Sequence, residues 1–132
     1  MAAILVVDDE PLVGEAISQS LQHAGFEVAL AESATAGLAS ITRAAPDVVV
    51  TDLIMPQVDG LAFIRGLRVS HPRVRIIAIS GGGSLGPLGD KPEAISTAAF
   101  NAAALQAGAD HVLMKPFDLE ELLRAVRQLL PN

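Results

Sequence analysis

Short, unbroken aliphatic runs alternate along this chain with longer stretches whose apolar positions recur at helical spacing. The runs are Ala3–Val7, Phe26–Ala31, Asp47–Thr51, Val74–Ile79 and His111–Met114. Continuous runs of this length suit strands buried on both faces of a parallel sheet. Between them, Val13, Ile17 and Leu21 mark a helix that Gly25 is placed to end. Leu38 and Ile41 mark a second helix behind a Ser33 N-cap, and Leu61, Ile64 and Leu67 a third after Asp59-Gly60. Ile95, Ala98, Ala99, Ala102 and Ala103 mark an Ala-rich fourth. The fifth is the clearest, with Leu119, Leu122, Leu123, Val126, Leu129 and Leu130 on one face. Asp118 and Glu121 form a cap pair at its start, and Arg124 and Arg127 suit the dipole at its end.

Five strands alternating with five helices predict an α/β fold with a doubly wound, five-stranded parallel sheet, (βα)5. In such sheets ligands bind beyond the carboxyl ends of the strands. One connection breaks the pattern. Gly81 to Pro92 holds five Gly and two Pro, which predicts an extended loop, about 81–93, between the fourth strand and the fourth helix.

Composition narrows the picture. The chain has 132 residues, enough for one domain with a sizeable core, and 1–132 is expected to be a single domain. Aromatics are 3% of it, so the core is built from Ala, Leu, Val and Ile. With no Cys there is no disulfide, thiolate zinc site or cysteine nucleophile. The net charge of −6 argues against direct DNA binding, which needs a basic surface. Mean hydropathy is high, at +0.45. No run reaches 18 apolar residues, however, and no basic region precedes the acid at Asp8, so neither a membrane span nor a secretory leader is expected. The expectation is a cytoplasmic protein.

The polar residues that close the apolar runs carry the candidate chemistry. Asp8-Asp9-Glu10 closes the first, Asp52 the third, Ser80 the fourth and Lys115 the fifth. In a parallel sheet all of them reach one edge. Carboxylates packed together repel unless a cation intervenes, and Mg²⁺ takes carboxylates, waters and phosphate oxygens. A carboxylate can also attack phosphorus, with Lys115 and Ser80 gripping phosphoryl oxygens. Each residue alone has a plainer reading. The first acids could be helix caps before Pro11, Asp52 and Ser80 turn residues, and Lys115 an uninformative cation. His23, His71 and His111 lack metal-like spacing and read as surface or boundary residues.

The stretches Ile4-Leu-Val-Val-Asp-Asp-Glu-Pro11, Asp52-Leu-Ile-Met-Pro-Gln-Val-Asp-Gly60, Ile76-Ile-Ala-Ile-Ser-Gly81 and Lys115-Pro-Phe117 resemble the bacterial two-component response-regulator receiver domain. The resemblance covers essentially the whole chain. It implies a flavodoxin-like fold and a non-enzymatic signalling switch. A sensor histidine kinase or phosphotransfer protein would be the donor, and a protein effector or attached output domain the target. It implies Asp52 as phosphoacceptor and Mg²⁺ held by Asp9, Asp52 and the Ile54 backbone carbonyl, with Asp8 acting through a metal-bound water. Ser80 and Lys115 would grip the phosphoryl group, and Met55-Pro56 and Asp59-Gly60 would shape the loop behind the acceptor.

Two features depart from the family. Receivers usually carry an aromatic three residues before the Lys, and here that position is Val112. Phe117 is expected in the core rather than in a switch. The long loop is the second departure, and together they suggest a signal read through residues 81–97. Three other readings compete. Gly81-Gly82-Gly83-Ser84-Leu85-Gly86 fits a dinucleotide-binding pattern but runs into Pro87 and Pro92 and follows the wrong strand. A haloacid-dehalogenase-like phosphohydrolase is disfavoured because Asp8-Asp9-Glu10 is not D-x-D. A receiver-like interaction domain that takes no phosphate would have no use for the full set of Asp8, Asp9, Asp52, Ser80 and Lys115.

Overall fold

The structure is a computed structural model, and the residues described are 2–55, 58–80 and 101–130, without the side chains of 54, 55 and 58. The expected loop at 81–93, the 81–97 readout segment and the first part of the Ala-rich helix lie outside the described residues.

Strands β1 (Ala3–Val7), β2 (Glu27–Ala31), β3 (Val48–Asp52), β6 (Arg75–Ser80) and β7 (His111–Met114) form one sheet in the order β2-β1-β3-β6-β7, every pairing parallel. A two-stranded antiparallel ribbon, β4 (Ile54–Met55) with β5 (Val58–Asp59), stands apart from it. The helices are α1 (Pro11–His23), α2 (Ala34–Arg43), α3 (Gly60–Ser70), α4 (described over 101–107) and α5 (Leu119–Leu129). None of them is long and apolar enough to cross a membrane.

Side chains alternate along each central strand and feed two cores. Leu5, Val7, Val49, Ile76 and Ala78 point to one face, where Ile41 of α2, Phe63, Ile64 and Leu67 of α3, and Ala104 and Ala107 of α4 cover them. Ile4, Val6, Val48, Val50, Ile77 and Ile79 point to the other, beneath Ile17 and Leu21 of α1 and Leu122, Ala125 and Val126 of α5. Helices on both faces explain why β1, β3 and β6 read as unbroken apolar runs. The edge strands differ. Glu27 and Ala29 of β2 and Met114 of β7 are exposed, so burial on both faces holds only for the three central strands.

Local signals set the helix ends. Ser33 caps α2 by accepting from the Ala36 N–H at 3.0 Å. Asp59 caps α3 through the Leu61 N–H at 2.9 Å. Asp118 and Glu121 make the expected reciprocal box at the start of α5. Gly25 turns the chain out of α1 with φ +101°. At the edge where the strands begin, Arg68 ties three segments together. Its guanidinium donates to the carbonyls of Pro72 and Val74 (both 2.9 Å) and of Gly108 (3.2 and 2.6 Å), and to Asp110 Oδ2 at 2.9 Å. Asp110 Oδ2 also accepts from the Ile76 N–H at 2.8 Å. This clamp sits at the opposite edge from the strand ends that carry the acids.

Candidate functional site

The carboxyl edge of the sheet gathers the polar residues that close the apolar runs. Register does this: Val7 lies opposite Thr51 across β1–β3, Asp52 opposite Ile79 across β3–β6, and Ser80 opposite Met114 across β6–β7. Parallel strands with these partners end together, so Asp8, Asp52, Ser80 and Lys115 arrive side by side. A carboxylate oxygen from each of Asp8, Asp9 and Asp52 lies within 4.8 Å of the others. Lys115 Nζ stands 3.7 Å from Asp52 Oδ2. The Lys115 N–H donates to the Ser80 carbonyl at 2.9 Å, so the residues proposed to hold phosphoryl oxygens share a backbone link. The Lys115–Pro116 peptide is cis.

Burial distinguishes the three acids. Asp8 and Asp52 are almost wholly buried, at 1% and 5% exposure, while Asp9 is half-buried. Asp8 does not cap α1. Its backbone N–H donates to the Ala31 carbonyl, and its Oδ1 accepts from the Glu10 N–H at 2.9 Å. The N-cap position of α1, Glu10, makes no side-chain cap bond. Asp8 Oδ2 is buried with no hydrogen-bond partner among the described residues. Burial raises the Asp8 carboxyl above its ordinary value. The Glu10 N–H opposes that rise, Asp52 adds to it, Lys115 opposes it and Asp9 adds to it.

Three hard oxygen donors, one an orphaned buried carboxylate oxygen, fit a small divalent cation such as Mg²⁺. A cation there would relieve the repulsion and satisfy Asp8. The Ile54 carbonyl belongs to β4, two residues past Asp52 on the same backbone.

The strand-end pattern pointed to Asp8, Asp9, Asp52, Ser80 and Lys115, and the family resemblance to Ile54. It missed Thr51, which is fully buried and donates from Oγ1 to the Asp52 carbonyl at 3.1 Å. A lone hydroxyl in an otherwise aliphatic run was the available signal. It also missed the β4–β5 ribbon, which is too short to show a period. Val112, at the position where an aromatic was expected, is partly buried against the core under α2, α3 and α4. Phe117 packs against the core under α1 and α5, as expected. His23 is exposed and His71 and His111 are half-buried, none of them at the acidic edge.

The model of the response regulator receiver domain family matches residues 4–127. The response regulator MprA of Mycobacterium sp. (strain KMS) is 39% identical over 127 residues, which is 96% of this chain and 50% of that protein. The chain therefore spans about half the length of the curated relatives it matches. Among solved structures, the receiver domain of NtrX from Brucella abortus superposes with a TM-score of 0.81 at 30% identity, covering 96% of this chain and 97% of that one. The chemotaxis protein CheY4 of Vibrio cholerae does so with a TM-score of 0.77 at 29% identity, covering 98% and 99%.

Proposed function

The chain belongs to the response regulator receiver domain family, the signalling modules of two-component systems, and on that premise we propose that it is a phosphorylation-controlled switch with Asp52 as its phosphoacceptor. The observation that carries this reading is the meeting of three carboxylates with one ammonium at the sheet edge: Asp8, Asp9 and Asp52 within 4.8 Å, and Lys115 Nζ 3.7 Å from Asp52.

On this reading an Asp52 carboxylate oxygen attacks the phosphorus of a kinase or phosphotransfer-protein phosphohistidine. The P–N bond breaks as the P–O bond forms, and the electron pair leaves with the imidazole. Asp52 stands at the end of β3 with its carboxylate already beside a cation, which limits the reorganisation needed as charge shifts onto the transferred group. Lys115 holds phosphoryl oxygens after transfer, and the Ser80 hydroxyl donates to another. Asp9, Asp52 and the Ile54 carbonyl would hold Mg²⁺ directly, with Asp8 acting through a water. When bound, the ion supplies charge neutralisation for phosphoryl oxygens. The acyl phosphate then shifts a pre-existing equilibrium towards an active form. The switch works in the cytoplasm, between a sensor kinase or phosphotransfer protein and a protein effector or attached output domain, and the receiver itself makes no DNA contact.

Incubation with acetyl phosphate and Mg²⁺, followed by peptide mapping, tests this. The expected result is a single phosphoryl adduct on Asp52, absent with chelator and absent in Asp52→Asn. Labelling that persists at the same level in Asp52→Asn refutes the assignment. A folded wild type that binds Mg²⁺ but never labels favours the phosphate-independent interaction domain.

A further inference from the structure

We propose that Gly60 and Thr51 are positioning residues, holding the backbone from Asp52 to Ile54 so that the acceptor carboxylate and the Ile54 carbonyl face one metal ion. The inference rests on the reading of Ile54 as a ligand.

Gly60 opens α3 and is buried. A Cβ placed there would fall on the Leu53 carbonyl oxygen and stand 2.8 Å from Leu53 Cα and 2.9 Å from its carbonyl carbon. These are backbone atoms, which cannot rotate aside. Gly14 makes the contrast: the nearest atom to a Cβ there, at 2.8 Å, is Leu30 Cδ1, the end of a flexible side chain. Leu53 is the single residue joining Asp52 to Ile54, and every side of it is held. Its N–H donates to the Ile79 carbonyl at 3.0 Å, and its side chain is 2% exposed. The carbonyl before it, that of Asp52, accepts from Thr51 Oγ1. The residue after it, Ile54, pairs with Asp59, the cap of α3.

With β6 and Thr51 on the sheet side and Gly60 on the helix side, the Leu53 peptide has one place to go. A side chain at position 60 has to push that peptide or lift the ribbon away from α3. Either movement shifts the Ile54 carbonyl relative to the Asp52 carboxylate. Helix propensity alone predicts the opposite, since Ala is a better helix former than Gly. Gly66, in the same helix, has nothing within 4 Å of a Cβ and serves as the control.

The test is Mg²⁺ titration by calorimetry on the wild type, Gly60→Ala, Gly66→Ala and Thr51→Val, with far-UV circular dichroism to establish folding. Gly60→Ala should weaken Mg²⁺ binding about tenfold or more, the scale seen when support around a ligand is lost. Its acetyl phosphate labelling should slow at low Mg²⁺ and recover at saturating Mg²⁺, a rescue that a general loss of stability does not produce. Gly66→Ala should bind as the wild type does. A folded Gly60→Ala protein with wild-type Mg²⁺ affinity overturns the proposal. If Gly60→Ala does not fold, Thr51→Val decides, because it keeps the side-chain shape and removes only the hydroxyl: weaker Mg²⁺ binding supports the proposal and unchanged binding overturns it. A wild type that binds no Mg²⁺ overturns the metal-site reading itself, a result distinct from wild-type binding that the variants leave untouched.

Discussion

Replacing Asp8 with Asn should stabilise the metal-free protein and weaken its response to Mg²⁺. Asp8 is 1% exposed, and its Oδ2 has no hydrogen-bond partner among the described residues. A buried polar group left unsatisfied costs about 1–3 kcal/mol, more when charged. Asn keeps an oxygen to accept from the Glu10 N–H and sets a neutral donor near Asp52 in place of a like charge. Part of the desolvation cost stays with the amide, so the expected net gain is about 1–2 kcal/mol, a rise in Tm of about 4–7 °C for a domain this size. In the wild type, Mg²⁺ at ten times its Kd should add RT ln(1 + 10), about 1.4 kcal/mol. The variant should lose most of that increment at the same Mg²⁺ concentration, so chelator should leave it clearly the more stable and this Mg²⁺ concentration should close or reverse the gap. The direction with pH follows from the raised Asp8 carboxyl. A group whose pKa is higher folded than unfolded contributes stability that is fully present below the unfolded value and lost as pH rises through the folded one. Metal-free wild type should therefore lose part of its stability on passing upward through the raised Asp8 value, and Asp8→Asn should lack that component. The chain has no Trp or Tyr, so melts are followed by far-UV circular dichroism. An Asp8→Asn protein less stable than wild type in chelator, or one with the same Mg²⁺ increment, refutes the reasoning.

The remaining predictions are shorter. Lys115→Ala removes the cation 3.7 Å from Asp52 but none of the carboxylates, so Mg²⁺ binding measured by calorimetry should persist or tighten while the amide NMR shifts caused by the phosphoryl analogue beryllofluoride shrink; loss of Mg²⁺ binding counts against the role given to Lys115. Arg68→Ala removes five hydrogen bonds from a side chain 27% exposed; with the exposure discounted, it should cost about 2 kcal/mol in chemical denaturation while Mg²⁺ affinity stays unchanged.

How much of this was legible beforehand depends on how far apart the determining residues lie. β1 and β7 matched the aliphatic runs at both ends, because a polar residue just outside the strand closes each run. β3 and β6 run one residue past theirs, into Asp52 and Ser80. Backbone pairing does not require an apolar side chain, and those two residues belong to both the ladder and the site. The convergence of Asp8, Asp52, Ser80 and Lys115 could be read because a parallel sheet maps every strand end onto one edge, whatever the loops between. The Arg68–Asp110 clamp could not, since its partners are 42 positions apart and no local spacing marks them. Gly60 was legible as a turn residue, but its reason is a contact with the Leu53 backbone seven residues earlier, made through the fold of the ribbon. Val112 is the instructive case. Its neighbours across β6–β7 and in the core beneath α3 and α4 satisfy an aliphatic side chain, so the fold accepts the departure from the family pattern without visible cost. An aromatic at that strand position is thus not needed to build this core. On the proposed function, a movement that reports phosphorylation would start from groups that are present: Ser80 and Lys115, tied to each other across the ends of β6 and β7 by the Lys115 N–H and the Ser80 carbonyl.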